Sequence, residues 1–543
     1  MNSIFVALLS LICLGAGYLF YSKILVRIWE IDPNRKTPAS ERYDGIDYVP
    51  AKSWTILFGH HFASIAGAAP IIGPVIACAV WGWVPALIWI VIGSIFIGGV
   101  HDFSSLVSSL RYGGSSIANV SEQVISRRAK MFFATFIWFA LILVVAVFAA
   151  VTAKTLVEEP RIVIPTFGLV LNGLLIGLMI YRWRWNQIVA TLLGIGILVG
   201  FLIVGFYIPI ELPFKNAELI WIYILLIYAY VASVIPVNIL LQPRDYLSTF
   251  ILYFGLFFGY LGIVVSHPKM HTPPFIKWSA QNGPLWPMLF VFIACGAISG
   301  FHSLIASGTT SKQLPNERYA RRIGYGGMIM EGILAALALI TVSAGLYWKG
   351  WIGPSNLIYP ELIKQGGWIL TFATGFGNIV APIFGMTMGM LIAVIILNSF
   401  VMTTLDTATR INRYITEELL GEGLGVAIFK NRFFSTLLII ICAGYLAAGN
   451  YKLIWPIFGA SNQLVAALVL IVVTAYLFSR SKPIKYTLYP AIFMLVTTIG
   501  ALIVEIRNFL IGKNYLLTII GVILLLMAIF MVFEARRVVV RRK

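Results

Sequence analysis

His60 and His61 stand side by side in "GHHFASIAGAAPIIGP" (Gly59–Pro74), a stretch otherwise apolar enough to cross a bilayer. They follow Lys52 by eight and nine residues. At the rise of a helix this places them in the first half of a span. His302, 16 residues past Trp286, and the pair His101–Asp102, closing "ALIWIVIGSIFIGGVHDF", fall at similar depth from the same side. Ionisable side chains inside a membrane are costly and usually serve a function. A histidine titrates near neutral pH, so His60, His61 and His302, with Asp102 nearby, suit carriage of a coupled proton in one cytoplasm-facing cavity. The same groups can instead hydrogen-bond kinked backbone or hold a transition metal, although their spacing matches no metal motif.

A second polar cluster is "NSFVMTTLDTATRINRY", Asn398–Tyr414. On a helix Thr403, Thr407 and Arg410 share a face, with Asp406 beside it. Thr and Asp oxygens suit a coordinated Na⁺; alternatively, Asp406 pairs with Arg410 at the membrane interface. Glu331, in "MIMEGILAAL", lies just inside its span, either as a proton carrier or as a carboxylate reaching for the interface.

These groups need elements that hold them at depth. Helix breakers inside a span are tolerated only where the freed backbone is buried in protein or lines a cavity. Gly67, Pro70, Gly73 and Pro74 break the span expected over 55–78; Gly296, Gly300 and Gly308 break the one over 286–310. Gly67 and Gly296 both fall near mid-membrane, and the two segments run in opposite directions. Paired discontinuous helices of this kind point to an inverted-repeat transporter. The unwound backbone at Gly67, Ala68, Pro70 and Gly73, and at Gly296, Ser299 and Gly300, is expected to contact substrate. Half-helix N–H ends suit a carboxylate. A third break, Pro236 in the span 219–240, competes as repeat partner, and ordinary kinked packing helices are the plainer alternative.

The composition agrees with a membrane protein. Of 543 residues, 60% are hydrophobic and 11% charged. About fifteen spans fit, with no polar stretch long enough for a soluble domain, so residues 1–543 read as one all-α polytopic domain. Within it lie a first span and loop (1–54), two core halves (55–240 and 241–449) and peripheral spans with a basic tail (450–543). The net charge of +18 might suggest nucleic acid. Placing the N-terminus outside instead puts about three quarters of the 39 lysines and arginines on the cytoplasmic side, which topology alone explains. The tail "RRVVVRRK" then rests against anionic lipid. The first apolar run lacks a positively charged lead and reads as a retained span. Four cysteines without CxxC spacing read as free buried thiols. No GxxxxGK[ST], HExxH or GxSxG occurs, which argues against an ATPase or hydrolase and for a protein that is not an enzyme and needs no cofactor. A gated channel and a membrane sensor stay open as alternatives, and oligomeric state is not readable.

The segments "FGHHFASIAGAAPIIGPVIA", "HDF", "PVNILLQPRDYLSTF", "FIACGAISGFHSLIASGTTSK", "IGYGGMIMEG", "TLDTATRINRY" and "WPIFGASNQLVAAL" closely resemble, in order, the carbon starvation protein A family. That resemblance implies a leucine-transporter-type inverted repeat in a prokaryotic inner membrane. It also implies uptake of peptides, or of pyruvate and similar small carboxylates, during nutrient limitation, with H⁺ the coupling ion ahead of Na⁺. "TTLDTAT" is similar to a helix of betaine-type carriers whose paired hydroxyls bind Na⁺, which adds Thr404 to Thr403. The chain is shorter than the best-known members, with compact loops.

Overall fold

The computed structural model describes residues 1–281, 283–349, 357–449 and 455–541. Lipid offers no hydrogen-bond partners, so apolar runs of this length must satisfy their own backbone as helices. Among the described residues thirteen helices are long and apolar enough to cross a membrane, and one bent pair makes a fourteenth. Those that build the site begin with α1 (Ser3–Ile28), the bent pair α2 (Trp54–Ile65) and α3 (Ala69–Trp81), and α4 (Trp83–Arg111). Next come α5 (Arg127–Glu158), α6 (Ala217–Val234), α7 (Leu241–Ser266) and the short α8 (Ala294–Ala297) and α9 (Gly300–Gly308). Then follow α10 (Glu317–Gly345), α11 (Tyr359–Phe384), α12 (Met386–Thr416) and α13 (Trp455–Ser479). Arg111, Lys312, Arg410 and Arg413 mark one end of the bundle, the basic end; the loop between α7 and α8 marks the far end.

Both expected breaks are present. α2 and α3 meet at 43° across Ala66–Ala68. α8 and α9 are parted by Ile298 and Ser299, whose backbone is extended. The two segments pack antiparallel. His61 of α2 lies 2.8 Å from Thr310, just past α9, while Gly73 of α3 lies against Phe292, just before α8. A Cβ at Gly73 would fall 2.2 Å from the Phe292 carbonyl oxygen, so only glycine permits this approach. The segment around 286–310 is thus the packing partner of 55–78, the arrangement expected of the two broken spans of an inverted repeat. The Pro236 break also exists, but it separates α6 from α7, where the Val237 amide donates to the Ile46 carbonyl at 2.9 Å.

The sequence reading leaves the stretch between the spans 325–347 and 382–406 as a far-side connection. It holds α11, which folds back instead of crossing. The Tyr359 hydroxyl donates to the Val75 carbonyl, and Gly375 packs on the Thr341 carbonyl near the far end of α10. Phe384 closes the helix against Phe254 and Phe258, the latter about 12 Å short of the far end of α7. Gly385, at φ +77°, then reverses the chain into α12, which continues to Thr416, beyond the expected boundary. Without α11, and with Leu285–Gly308 and Arg432–Ala448 added, the described residues make fifteen crossings. Of the four thiols only Cys78 and Cys295 are buried; Cys13 and Cys442 are half-buried on outer helices.

Candidate functional site

Asp102 of α4 is gripped from two sides. Its Oδ1 accepts from His101 Nδ1 at 2.7 Å, and its Oδ2 accepts from His302 Nδ1 at 2.9 Å. The other ring nitrogen of His302 lies 3.0 Å from Glu331 Oε2, an ion-pair contact whose angles fall short of a hydrogen bond. All four side chains are 0% exposed. The pattern arises because α4, α9 and α10 meet beside the break, each bringing one or two ionisable groups inward. Glu331 therefore turns into the bundle and does not reach for an interface.

The histidines do not converge on one cavity. His60 and His61 are adjacent on α2, so they point about 100° apart. His61 meets Thr310, and its Nε2 has no partner among the described residues. His60 joins a separate cluster: its Nδ1 lies 2.6 Å from Asp245 Oδ2, and Gln313 Nε2 donates to its Nε2 at 3.2 Å. Gln313 in turn accepts from Gln242, and Gln242 from the Tyr181 hydroxyl. Among the described residues no group of three or more His, Cys, Asp or Glu is arranged to hold a metal.

Asp406 pairs with Arg244, not with Arg410. Arg244, from "LQPRDYL", is fully buried and bonds the Asp406 carboxylate, Thr403 Oγ1 at 2.7 Å and the Tyr228 hydroxyl at 2.6 Å. Arg410 and Arg413 instead grip Asp47 at 2.7 and 2.8 Å, tying the loop before α2 to the end of α12. Burial alone would raise the Asp47 carboxyl, but Arg413 and Arg410 outweigh it and hold the group well below the usual carboxylate range. Thr404 and Thr407 face the first break: Thr404 Oγ1 lies 3.1 Å from the Ser64 carbonyl, and Thr407 Oγ1 lies 3.1 Å from Ser64 Oγ. A Cβ on Gly67 would sit 3.2 Å from Thr404 Oγ1.

Arg244 and Asp245 are the site residues missed in the sequence. The positive-inside count treats Arg244 as a loop residue at a span edge. The available signal was an Arg–Asp dipeptide directly after a proline in an apolar run, which marks buried charge as readily as a loop.

The substrate candidates come together in part. A Cβ on Gly296 would lie 3.7 Å from Pro70 Cα, joining the two breaks. At the second break the half-helix start is already capped: Asn462 of α13 accepts from the Phe301 amide at 2.8 Å and from Ser299 Oγ at 3.2 Å, and Gly300 packs on its backbone. The start of α3, after Gly67 and Ala68, has no side-chain cap.

Two discontinuous helices packed antiparallel, with buried charge on both sides, define a multi-pass carrier of the leucine-transporter type. Its fold matches that of a manganese transporter of Eremococcus coleocola at TM-score 0.54, over 91% of this chain and 99% of that one, at 13% identity. The chain belongs to the carbon starvation protein CstA family, whose profile matches residues 2–349 and 355–501. It is 32% identical over 528 residues to the peptide transporter CstA of Helicobacter pylori J99, covering 86% of this chain and 76% of that one. It is also 32% identical over 538 residues to the pyruvate/proton symporter BtsT of Escherichia coli K12, with 83% and 74% covered. The chain is a multi-pass secondary transporter of a bacterial inner membrane.

Proposed function

We propose that the protein imports short peptides or small carboxylates such as pyruvate, coupled to H⁺, with its N-terminus outside and its basic end in the cytoplasm. The observation that carries this reading is His302 held between two buried carboxylates. A ring flanked by Asp102 and Glu331 can take a proton from one side and give it to the other, and each transfer changes the charge beside the break. Arg244 favours H⁺ over Na⁺. Its guanidinium already engages Thr403 and Asp406, two of the oxygens a sodium ion would need. Na⁺ coupling is the second reading; it draws on Thr404, Thr407 and the Ser64 carbonyl, which meet at the first break.

A recess of about 490 Å³ at the far end, lined by Ile76, Lys154, Glu158 and residues 363–369 of α11, supplies an entry. Ile76 also lines a smaller pocket between the breaks, so the recess and that pocket share one wall residue. The basic tail would lie against anionic lipid; of its side chains only that of Arg537 is among the described residues.

The test is uptake of pyruvate and of dialanine into proteoliposomes, with pH, Na⁺ and potential gradients imposed separately. Accumulation that follows the pH gradient and ignores Na⁺ supports the proposal. Accumulation that follows Na⁺ alone shifts it to the second reading, and uptake of neither compound removes both.

A further inference from the structure

Glu505, in the helix Lys485–Ile511, is 7% exposed, and among the described residues its carboxylate meets neither a cation nor a hydrogen-bond donor. An unpaired carboxylate is expensive to bury and more so at membrane depth. A group retained on those terms fits one whose partner arrives and leaves. The other buried charges near the breaks are paired among themselves, Arg244 with Asp406 and His302 with Asp102.

Glu505 faces a pocket of about 180 Å³ between the two broken spans, lined also by Ala69 and Gly73 of α3, Cys295 of α8 and Asn462 of α13. Ala69 opens α3, a 13-residue helix whose start has no side-chain cap; Pro70 has no N–H and the Ile71 and Ile72 amides donate to the Ala68 carbonyl, so the helix dipole and the Ala69 amide are what favour an anion. The pocket therefore has a partial positive charge at Ala69 and an acidic side chain at Glu505, which an arriving ammonium would ionise and pair. Glu505 stands six residues before the end of its helix, and Ala69 twelve before the end of α3. At helical rise Glu505 lies about 9 Å, and Ala69 about 18 Å, from the far end of its own helix.

We propose that Glu505 binds the terminal ammonium of a short peptide whose carboxylate lies at the start of α3. The pocket then selects zwitterionic peptides over simple carboxylates, because a monocarboxylate brings no ammonium to pair with Glu505. This rests on the transport reading above. Position 505 lies beyond the residues matched by the family profile.

The full-length protein in proteoliposomes tests it. Wild-type uptake of labelled dialanine should be competed by unlabelled dialanine, and only weakly by N-acetyl-dialanine or pyruvate. Glu505→Gln should raise KM for dialanine about tenfold or more, the worth of one charge-assisted hydrogen bond, and bring the two peptides to similar potency. Equal competition by both peptides in wild type, or an unchanged preference in Glu505→Gln, overturns the assignment. So does uptake of pyruvate without dialanine, which leaves the transport reading intact; uptake of neither overturns both. Should Glu505→Gln fail to fold, ligand-induced shifts in Tm of the wild type decide, with stabilisation by dialanine and not by its acetylated form as the supporting result. Equal shifts with both peptides, or none with dialanine, overturn the assignment.

Discussion

The Nδ1 of His302 donates to Asp102 at 2.9 Å, joining residues 200 positions apart on helices that flank the second break. His302 also lies 3.0 Å from Glu331, so a change of protonation here is felt at once by three helices.

Replacing His302 by Gln should therefore abolish accumulation driven by a pH gradient while sparing exchange of internal for external substrate. Exchange needs alternating access but no net proton movement. The check is a comparison of gradient-driven uptake with counterflow in the same vesicles. Loss of both, in a protein that still folds, would point to a structural role instead.

Arg244→Ala leaves Asp406 buried without a cation, which costs about 3–5 kcal/mol when one partner of such a pair is removed. The expected result is a marked fall in Tm in detergent. Joint replacement of Arg244 and Asp406 by Met and Leu should recover part of that loss. Double-mutant cycles on unfolding would measure the coupling.

Asp47→Asn should release the loop before α2 from Arg410 and Arg413 and open the basic end. Val49, buried beside Val237 and Leu241, reports it: a cysteine placed at 49 should label faster with a membrane-impermeant thiol reagent in Asp47→Asn. The pH dependence has a definite sign. A carboxyl held below its unfolded pKa of about 3.9 contributes stability that is complete above that value and fades as pH falls through the folded one. Between pH 5 and 8 the clasp is constant. Wild type and Asp47→Asn should then share the same shape of transport profile across that range.

Gly73→Ala forces a methyl group into the Phe292 carbonyl, backbone that cannot swing aside. The expected outcome is loss of uptake with retained expression, since the two breaks can no longer touch. Alanine at Gly196, which has open space around it, serves as the neutral control.

Some of this organisation is legible in the sequence because it depends on residue type alone. Glycine and proline at mid-span announce Ala66–Ala68 and Ile298–Ser299 as breaks, and a histidine beside an aspartate announces buried charge at His101–Asp102. Partner choice is not legible. Nothing local in "MIMEGIL" says that Glu331 meets His302, or that His60 turns to Asp245 while His61 turns to Thr310. Those pairings follow from which helices pack together. The rule that places basic residues in cytoplasmic loops hides Arg244, because a guanidinium neutralised by Asp406 can lie inside the membrane. α11 is legible only in part: its stretch reads as a far-side connection, and only its contacts show that it forms a helix that turns back.

Asn462 carries a consequence for how much of the chain is indispensable. It stands on α13, in the terminal set of helices that looks peripheral, yet its amide completes the start of α9 beside the second break. A shortened protein keeping only the first 449 residues would expose that start to lipid or to a competing acceptor, and would lose the wall that carries Glu505. The smallest working unit therefore extends through the C-terminal helices, which act as part of the transport machinery rather than as packaging around it.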